Sequence, residues 1–274
     1  MTRKTLLSDA EIAQYHDEGL VIPDYRLPDD VLAGLGRAVD RLIRDHPDVR
    51  PEQLSGPHNP FGQSARLLGN HDFLGFCQFP EILDMVEQLI GPDIILWGSM
   101  LFAKPPKDGK AVPWHQDGQY WPIEPLATVT VRVAIDGSDP ENGCMRYIPG
   151  SHRDKNLGRH EVADREDFAI KQSMPDIDES VARDVVLEPG QISLHDVYTI
   201  HGSNHNRSGK RRADYAIRYM PATSLYDRRE DHPATAYARV VSPTMNYPLR
   251  PIWLVRGQDR AGNDFQVGHG ASAA

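Results

Sequence analysis

The spacing of apolar positions along this chain changes character near residue 91. Before that point it is helical. Ser8-Asp9-Ala10-Glu11 reads as a capping box and predicts a helix running to Gly19. Leu20-Val21-Ile22 then predicts a short strand. A second helix is predicted from about Asp29, with Leu32, Leu35, Val39, Leu42 and Ile43 along one face, and a third over roughly Glu81 to Ile90, with Ile82, Val86, Leu89 and Ile90 inward and Gly91 as its stop. The stretch between them from Arg50 to Gln63, rich in Pro, Gly and Asn, predicts a loop over the surface or a site lid. Beyond Gly91 the period becomes that of strands. Ile94 to Lys104 is a long apolar-rich run closed by Pro105-Pro106. Leu126 to Asp136 alternates, with Val129, Val131, Val133 and Ile135 on one face and Thr128, Thr130 and Arg132 on the other. Cys144 to Ile148, Val185 to Leu194 and Arg211 to Tyr219 add further strands, whereas His152 to Arg183 is a polar excursion. The tail from about Asp227 has little pattern until Ile252-Trp253-Leu254-Val255. Helices first, then about eight short strands with Gly/Pro turns, predict a mainly β fold with helices on one side: an antiparallel double-sheet barrel, or jelly roll, of the cupin kind.

Composition adds bounds. A chain of 274 residues can bury a substantial core, and the reading is one domain: a helical part to about residue 91, a β core to about 220 and a tail to 274. Hydrophobic residues at 39% and charged ones at 25% are ordinary for a globular enzyme. The net charge of −9 argues against nucleic acid or an anionic membrane surface as the main partner, and leaves a small molecule. No apolar run has the length of a secretory leader or a membrane span. Two cysteines, Cys77 and Cys144, are too few for a disulfide framework; reduced thiols and a cytoplasmic location are expected.

The candidate chemistry lies in Pro113-Trp114-His115-Gln116-Asp117-Gly118. An imidazole and a carboxylate two residues apart on extended chain point to the same side and can grip one metal ion. With a distant second histidine they form a facial triad that leaves positions open, the geometry of non-heme Fe(II) oxygenases. The spacing recurs in His46-Pro47-Asp48 and His152-Arg153-Asp154, so context must choose. His46 falls just past a helix end, in a loop. His115 and Asp117 close a strand region, with Trp114, Tyr120 and Trp121 nearby. Downstream, either His195 or His201 could supply the second nitrogen. Arg212 follows His201 by eleven residues on the next strand, where a guanidinium fork could hold a carboxylate such as the distal one of 2-oxoglutarate.

The ordered set Lys104-Pro105-Pro106, His115-Gln116-Asp117, Glu141-Asn142-Gly143-Cys144, Pro149-Gly150-Ser151-His152 and His201-Gly202-Ser203 resembles the phytanoyl-CoA dioxygenase family, over about Pro80 to Tyr219. The resemblance implies a double-stranded β-helix and an oxygenase that uses Fe(II), 2-oxoglutarate and dioxygen. It implies a triad of His115, Asp117 and His201, with Arg212 and Ser203 on the 2-oxoglutarate carboxylate, His195 beside the site and His152 in a structural loop. Members of that family often carry an aromatic residue where this chain has Arg132.

Arg132 and Lys104, the latter sharing strand parity with Met100 and Phe102, would add two positive charges to the pocket. Two cations suit a doubly ionised group, and Tyr120, Trp121 and Tyr198 could cage an ammonium. The combination resembles family members that hydroxylate aminoalkylphosphonates next to phosphorus, such as 2-aminoethylphosphonate or its trimethylammonium analogue. The alternatives are hydroxylation of an acyl-CoA or an amino acid, and, in a different class, a non-catalytic metal-binding cupin. A carboxylate clamp of Arg212 and Ser203 counts against the last.

Overall fold

In the computed structural model, which describes residues 5–61 and 67–270, Ser8 opens helix α1 (Asp9–Glu18) with both halves of the capping box. Its Oγ accepts from the Glu11 amide at 3.3 Å, and its own amide donates to Glu11 Oε2 at 2.7 Å. Gly19 ends the helix at φ +81°, where an added Cβ would lie 2.4 Å from Thr199 Oγ1, so both the left-handed turn and the packing require glycine. Strand β1 (Leu20–Val21) follows, then α2 (Asp29–Asp45), which buries Leu35, Ala38, Val39 and Leu42. The segment expected as a loop or lid instead lays β2 (Leu54–Ser55) on the long strand of the β core, with His58 and Asn59 buried behind it. Its last two residues, Gly62 and Gln63, lie outside the described residues, as do the first four of the chain. A short helix without a clear pattern, α3 (His71–Phe76), starts at the Asn70 cap, and α4 (Pro80–Ile90) buries Ile82, Leu83, Met85 and Val86.

The strands that follow are β3 (Ile94–Lys104), β4 (Val112–His115), β5 (Ile123–Glu124), β6 (Val129–Ala134), β7 (Met145–Tyr147), β8 (Glu161–Val162), β9 (Gln172–Ser173), β10 (Arg183–Val185), β11 (Ile192–Asp196), β12 (His201–Ser203), β13 (Arg212–Pro221) and β14 (Leu225–Tyr226). Helix α5 (Pro233–Val241) and β15 (Trp253–Arg256) complete the chain. One sheet has the order β1-β11-β6-β13-β3-β15, with β2 also on β3, and faces a second of order β10-β7-β12-β4. This is the double-stranded β-helix, with α1 to α4 on the outer face of the larger sheet. The run read as Val185 to Leu194 is divided between the sheets by the turn at Gly190, φ +86°. The tail, nearly patternless in sequence, returns as β15 to pair with β3.

Both faces of the larger sheet are buried, but they differ in kind. On the outer face Val129, Val131 and Val133 of β6 and Ala213, Tyr215, Ile217 and Tyr219 of β13 join one core with α2 and α4. A large-to-small change there costs about 2–5 kcal/mol. The inner face carries Thr130 and Arg132, Arg212, Asp214 and Arg218, and His195, all at most 8% exposed. The alternation in β6 is therefore apolar toward the helices and polar toward the barrel interior, which positions the site. No helix among the described residues is long and apolar enough to cross a membrane.

Candidate metal centre and cosubstrate pocket

Strands β4 and β12 pair so that His115 and His201 are register partners. Their rings lie 4.2 Å apart between centroids. Each ring donates Nδ1–H to the carbonyl two residues before it, His115 to Pro113 and His201 to Thr199, both at 2.9 Å. A carbonyl only accepts, so the proton sits on Nδ1 and the Nε2 lone pair is left for a metal. Gly202 permits the close approach, since a Cβ there would stand 3.0 Å from the Val112 carbonyl oxygen.

Asp117 opens the short 3-10 turn after β4, with its Oδ1 3.7 Å from His115 Nε2. Candidate ligand atoms of His115, Asp117 and His201 all lie within 4.8 Å of one another, and all three residues are buried. Burial alone would raise the Asp117 pKa, but the Arg218 guanidinium and the His115 and His195 imidazoles outweigh it and hold the carboxyl well below its usual range. Burial, with His115 and His195 adjacent, holds His201 neutral. A neutral His201 imidazole and an ionised Asp117 carboxylate are the protonation states that Fe(II) requires of these donors.

Three residues outside the sequence expectation support this cluster. Gln116, 1% exposed, donates to the Asn156 and Tyr198 carbonyls at 2.9 and 2.8 Å and accepts from the Gly158 amide at 2.7 Å, which clamps the turn between the two β4 donors. Thr130 Oγ1 reaches Asp117 Oδ2 at 3.4 Å. Arg218 Nη2 lies 3.9 Å from Asp117 Oδ1. His195 stands beside the cluster, with Nε2 3.5 Å from Asp117 Oδ2. The other His-x-Asp copies are elsewhere: His46 Nδ1 bonds the Leu42 carbonyl at the end of α2, and His152 Nε2 bonds the His16 carbonyl. A second group of potential donors, Glu124, Asp227 and His232, is committed differently. Asp227 is paired with Arg229, and His232 caps α5.

Arg212, 1% exposed, lines the same chamber as the three candidate ligands. Its Nη2 donates to Asp214 Oδ2, while Nε and Nη1 have no partner. Two buried N–H donors of a charged guanidinium left without a partner call for an anionic acceptor, so the site fits the distal carboxylate of 2-oxoglutarate. Burial pushes the Arg212 pKa down to about 10, which keeps it charged at neutral pH. Ser203 lines the same chamber, and Lys104 Nζ donates to Ser203 Oγ at 2.7 Å. The serine's own O–H is left to donate.

The remaining expected residues divide. Arg132 lines the chamber but donates to Asp214 Oδ2 and to Met145 Sδ. Lys104 points inward and is fully buried, yet it lies behind Ser203 and also bonds the Asn204 carbonyl. Of the three aromatics, Tyr120 lines the chamber. Trp121 lies beneath the Arg218 guanidinium, 5.0 Å from it, and Tyr198 beneath Lys155. Asp214, which gathers Arg132 and Arg212, was visible only as strand parity with Arg212.

The profile of the phytanoyl-CoA dioxygenase (PhyH) family matches residues 3–213. The peroxisomal phytanoyl-CoA dioxygenase of Bos taurus is 28% identical over 271 residues, covering 93% of this chain and 77% of its own. A probable alpha-ketoglutarate-dependent hypophosphite dioxygenase of Stutzerimonas stutzeri is 32% identical over 146 residues, 52% of this chain and 50% of that protein. The solved apo structure of a non-heme monooxygenase, ThoJ, superposes with a TM-score of 0.67 at 25% identity, over 90% of this chain and 84% of its own.

Proposed function

Because the chain belongs to the phytanoyl-CoA dioxygenase family of Fe(II)- and 2-oxoglutarate-dependent oxygenases, we propose that it hydroxylates a small anionic or zwitterionic substrate, best an aminoalkylphosphonate at the carbon next to phosphorus. Iron held by His115, Asp117 and His201 supplies the oxidising chemistry with dioxygen and 2-oxoglutarate: a substrate C–H becomes C–OH as 2-oxoglutarate becomes succinate and CO2. Arg212 orients the cosubstrate through the guanidinium N–H groups that Asp214 leaves free, and Ser203, held by Lys104, adds a hydroxyl donor. The tautomers of His115 and His201 are set by the Pro113 and Thr199 carbonyls, and Gln116 keeps the turn between His115 and Asp117 in place.

One observation carries the substrate class. A cavity of about 430 Å³ adjoins the metal chamber, sharing Met100, Tyr120, Ile170 and Arg218 with it. Its lining includes Arg218 and Arg250 with a single carboxylate, Asp48, while its other two cations, Arg50 and Lys171, are paired with Glu52, Asp108 and Asp164. That volume suits a compact ligand, and that balance suits an anion. The Stutzerimonas relative, named for a phosphorus oxyanion, supports the same class. With Trp121 and Tyr198 outside the chamber, the reading rests on the anionic end of the substrate. The two buried free thiols, Cys77 and Cys144, accord with a cytoplasmic location.

The test is substrate-dependent succinate formation. 2-Aminoethylphosphonate and its trimethylammonium analogue should each be assayed, with product identified by phosphorus NMR, against phytanoyl-CoA and a panel of amino acids. Turnover of a phosphonate supports the reading. Turnover of an acyl-CoA or an amino acid, with none of either phosphonate, replaces it.

A further inference from the structure

The positive charges around the inner chamber are committed. Arg132 and Arg212 share Asp214, and Arg212 turns its remaining N–H groups toward the cosubstrate position. Lys104 is used by Ser203 and Asn204. In the adjoining cavity Arg50 is paired with Glu52 and Asp108, and Lys171 with Asp164. That leaves Arg218 and Arg250. Arg218 has as its nearest carboxylate Asp117 at 3.9 Å, a residue of the candidate metal centre, and among the described residues Arg250 has no ion-pair partner. Both are at most 8% exposed.

The two are also side by side. A Cβ added to Gly98 would lie 2.8 Å from Arg250 Nη1 and 3.7 Å from Arg218 Cδ, so both arginines rest against the same glycine. Arg218 lies 5.0 Å over the Trp121 ring, and Arg250 5.4 Å over Trp97 and 4.5 Å over Tyr247. Trp97 and Trp121 themselves pack at 4.4 Å. These contacts hold each guanidinium in place, Arg250 also bonding the Tyr247 side chain, and leave further N–H groups for a ligand. Arg218 Nε has no hydrogen-bond partner, and neither end of the Gln172 amide, which lines the same cavity at 1% exposure, has one. Two like charges held together away from water, with one shared carboxylate 3.9 Å from Arg218 and no ion-pair partner on Arg250 among the described residues, favour a further anion between them.

We infer that Arg218 and Arg250 form the substrate-recognition site, gripping a doubly ionised head group such as a phosphonate or phosphate monoester over the Trp97–Trp121 pair, with Gln172 contributing a neutral hydrogen bond. The inference rests on the small-anion reading above and moves the anion from Arg132 and Lys104 to residues brought together from β13 and the tail. Both tryptophans are reporters, since they lie beneath the two guanidinium groups.

The experiment titrates the anaerobic Fe(II)·2-oxoglutarate enzyme with methylphosphonate, and separately with malonate and methanesulfonate, following tryptophan fluorescence and calorimetry. Methylphosphonate should bind, and methanesulfonate, a monoanion, more weakly. Arg250→Gln should weaken methylphosphonate binding by roughly thirtyfold or more, with iron uptake as the control for folding. Gly98→Ala removes no charge, yet should act in the same direction by displacing Arg250 Nη1. Arg26→Gln, at an exposed position that lines neither cavity, should leave the affinity within about twofold. Methylphosphonate binding that survives both Arg250→Gln and Arg218→Gln overturns the arginine site and leaves the phosphonate reading standing. Arginine-sensitive binding of malonate without methylphosphonate keeps the site and removes the phosphonate. Binding of none of the dianions refutes the inference outright.

Discussion

His201 faces His115 across the β12–β4 pair with 4.2 Å between ring centroids, each ring tied through Nδ1 to a carbonyl two residues upstream in its own segment. The two imidazoles are thus oriented by local backbone before any metal arrives. His201→Ala should abolish iron uptake, measured as iron per protein after anaerobic reconstitution. His46→Ala and His152→Ala should retain it, because those rings serve a helix end and the His16 carbonyl. Loss from His152→Ala equal to that from His201→Ala would assign the wrong copy of the motif.

Arg212→Ala should weaken 2-oxoglutarate binding by about 2–5 kcal/mol, tens- to thousandsfold, while iron still binds. The measurement is the visible charge-transfer band that 2-oxoglutarate produces on the anaerobic Fe(II) protein, titrated in both variants. Asp214→Asn should weaken the same titration, because Asp214 holds the Nη2 edge of Arg212 and steadies Arg132 beside it. An Arg212→Ala titration that matches the wild type would remove this arginine from the cosubstrate site.

Gln116→Ala would leave the Asn156 and Tyr198 carbonyls and the Gly158 amide without their partner. Unpaired buried groups of this kind cost about 1–3 kcal/mol, so the melting temperature should fall by several degrees. Iron affinity should fall as well, since the turn between His115 and Asp117 loses its clamp. A variant with lowered stability and unchanged iron affinity would make Gln116 a purely structural residue.

His58 sets a pH dependence. Burial, then the Arg250 and Arg218 charges, lower its pKa from 6.5 to about 3. The unfolded chain takes up this proton below about pH 6.5 and the folded one does not until near 3, so stability is fully present above 6.5 and is lost as pH falls through that window. By about pH 5 the loss should approach 2 kcal/mol, at 1.36 kcal/mol per unit. Urea midpoints of wild type and His58→Asn between pH 7 and 5 should diverge accordingly, with the variant less pH-dependent. Parallel curves would show that His58 is not the titrating group.

Much of this protein is legible in the chain because the information is local. The Ser8–Glu11 box and Gly19 bound α1 within one segment. Alternation in β6 marks a strand, and the His115-Gln116-Asp117 spacing marks candidate donors, because period and spacing need no distant partner. Helix α5 and the burial of His58 were not legible, since a short segment after a proline and a lone histidine take their roles from what packs on them.

The expectation that Arg132 enters the pocket comes from the resemblance, and the tertiary structure supplies its reason: the valines meet α2 and α4, and Arg132 turns into the barrel. Tertiary structure decided which charges are free. Ion pairing between residues far apart depends on register: β13 against β6 sets Asp214 beside Arg132, and β13 against β3 sets Arg212 beside Lys104 and Arg218 opposite Gly98. The tail then lays Arg250 over that same glycine. A charge is chemically available only after every nearer partner has been assigned, and those assignments exist only in the folded chain.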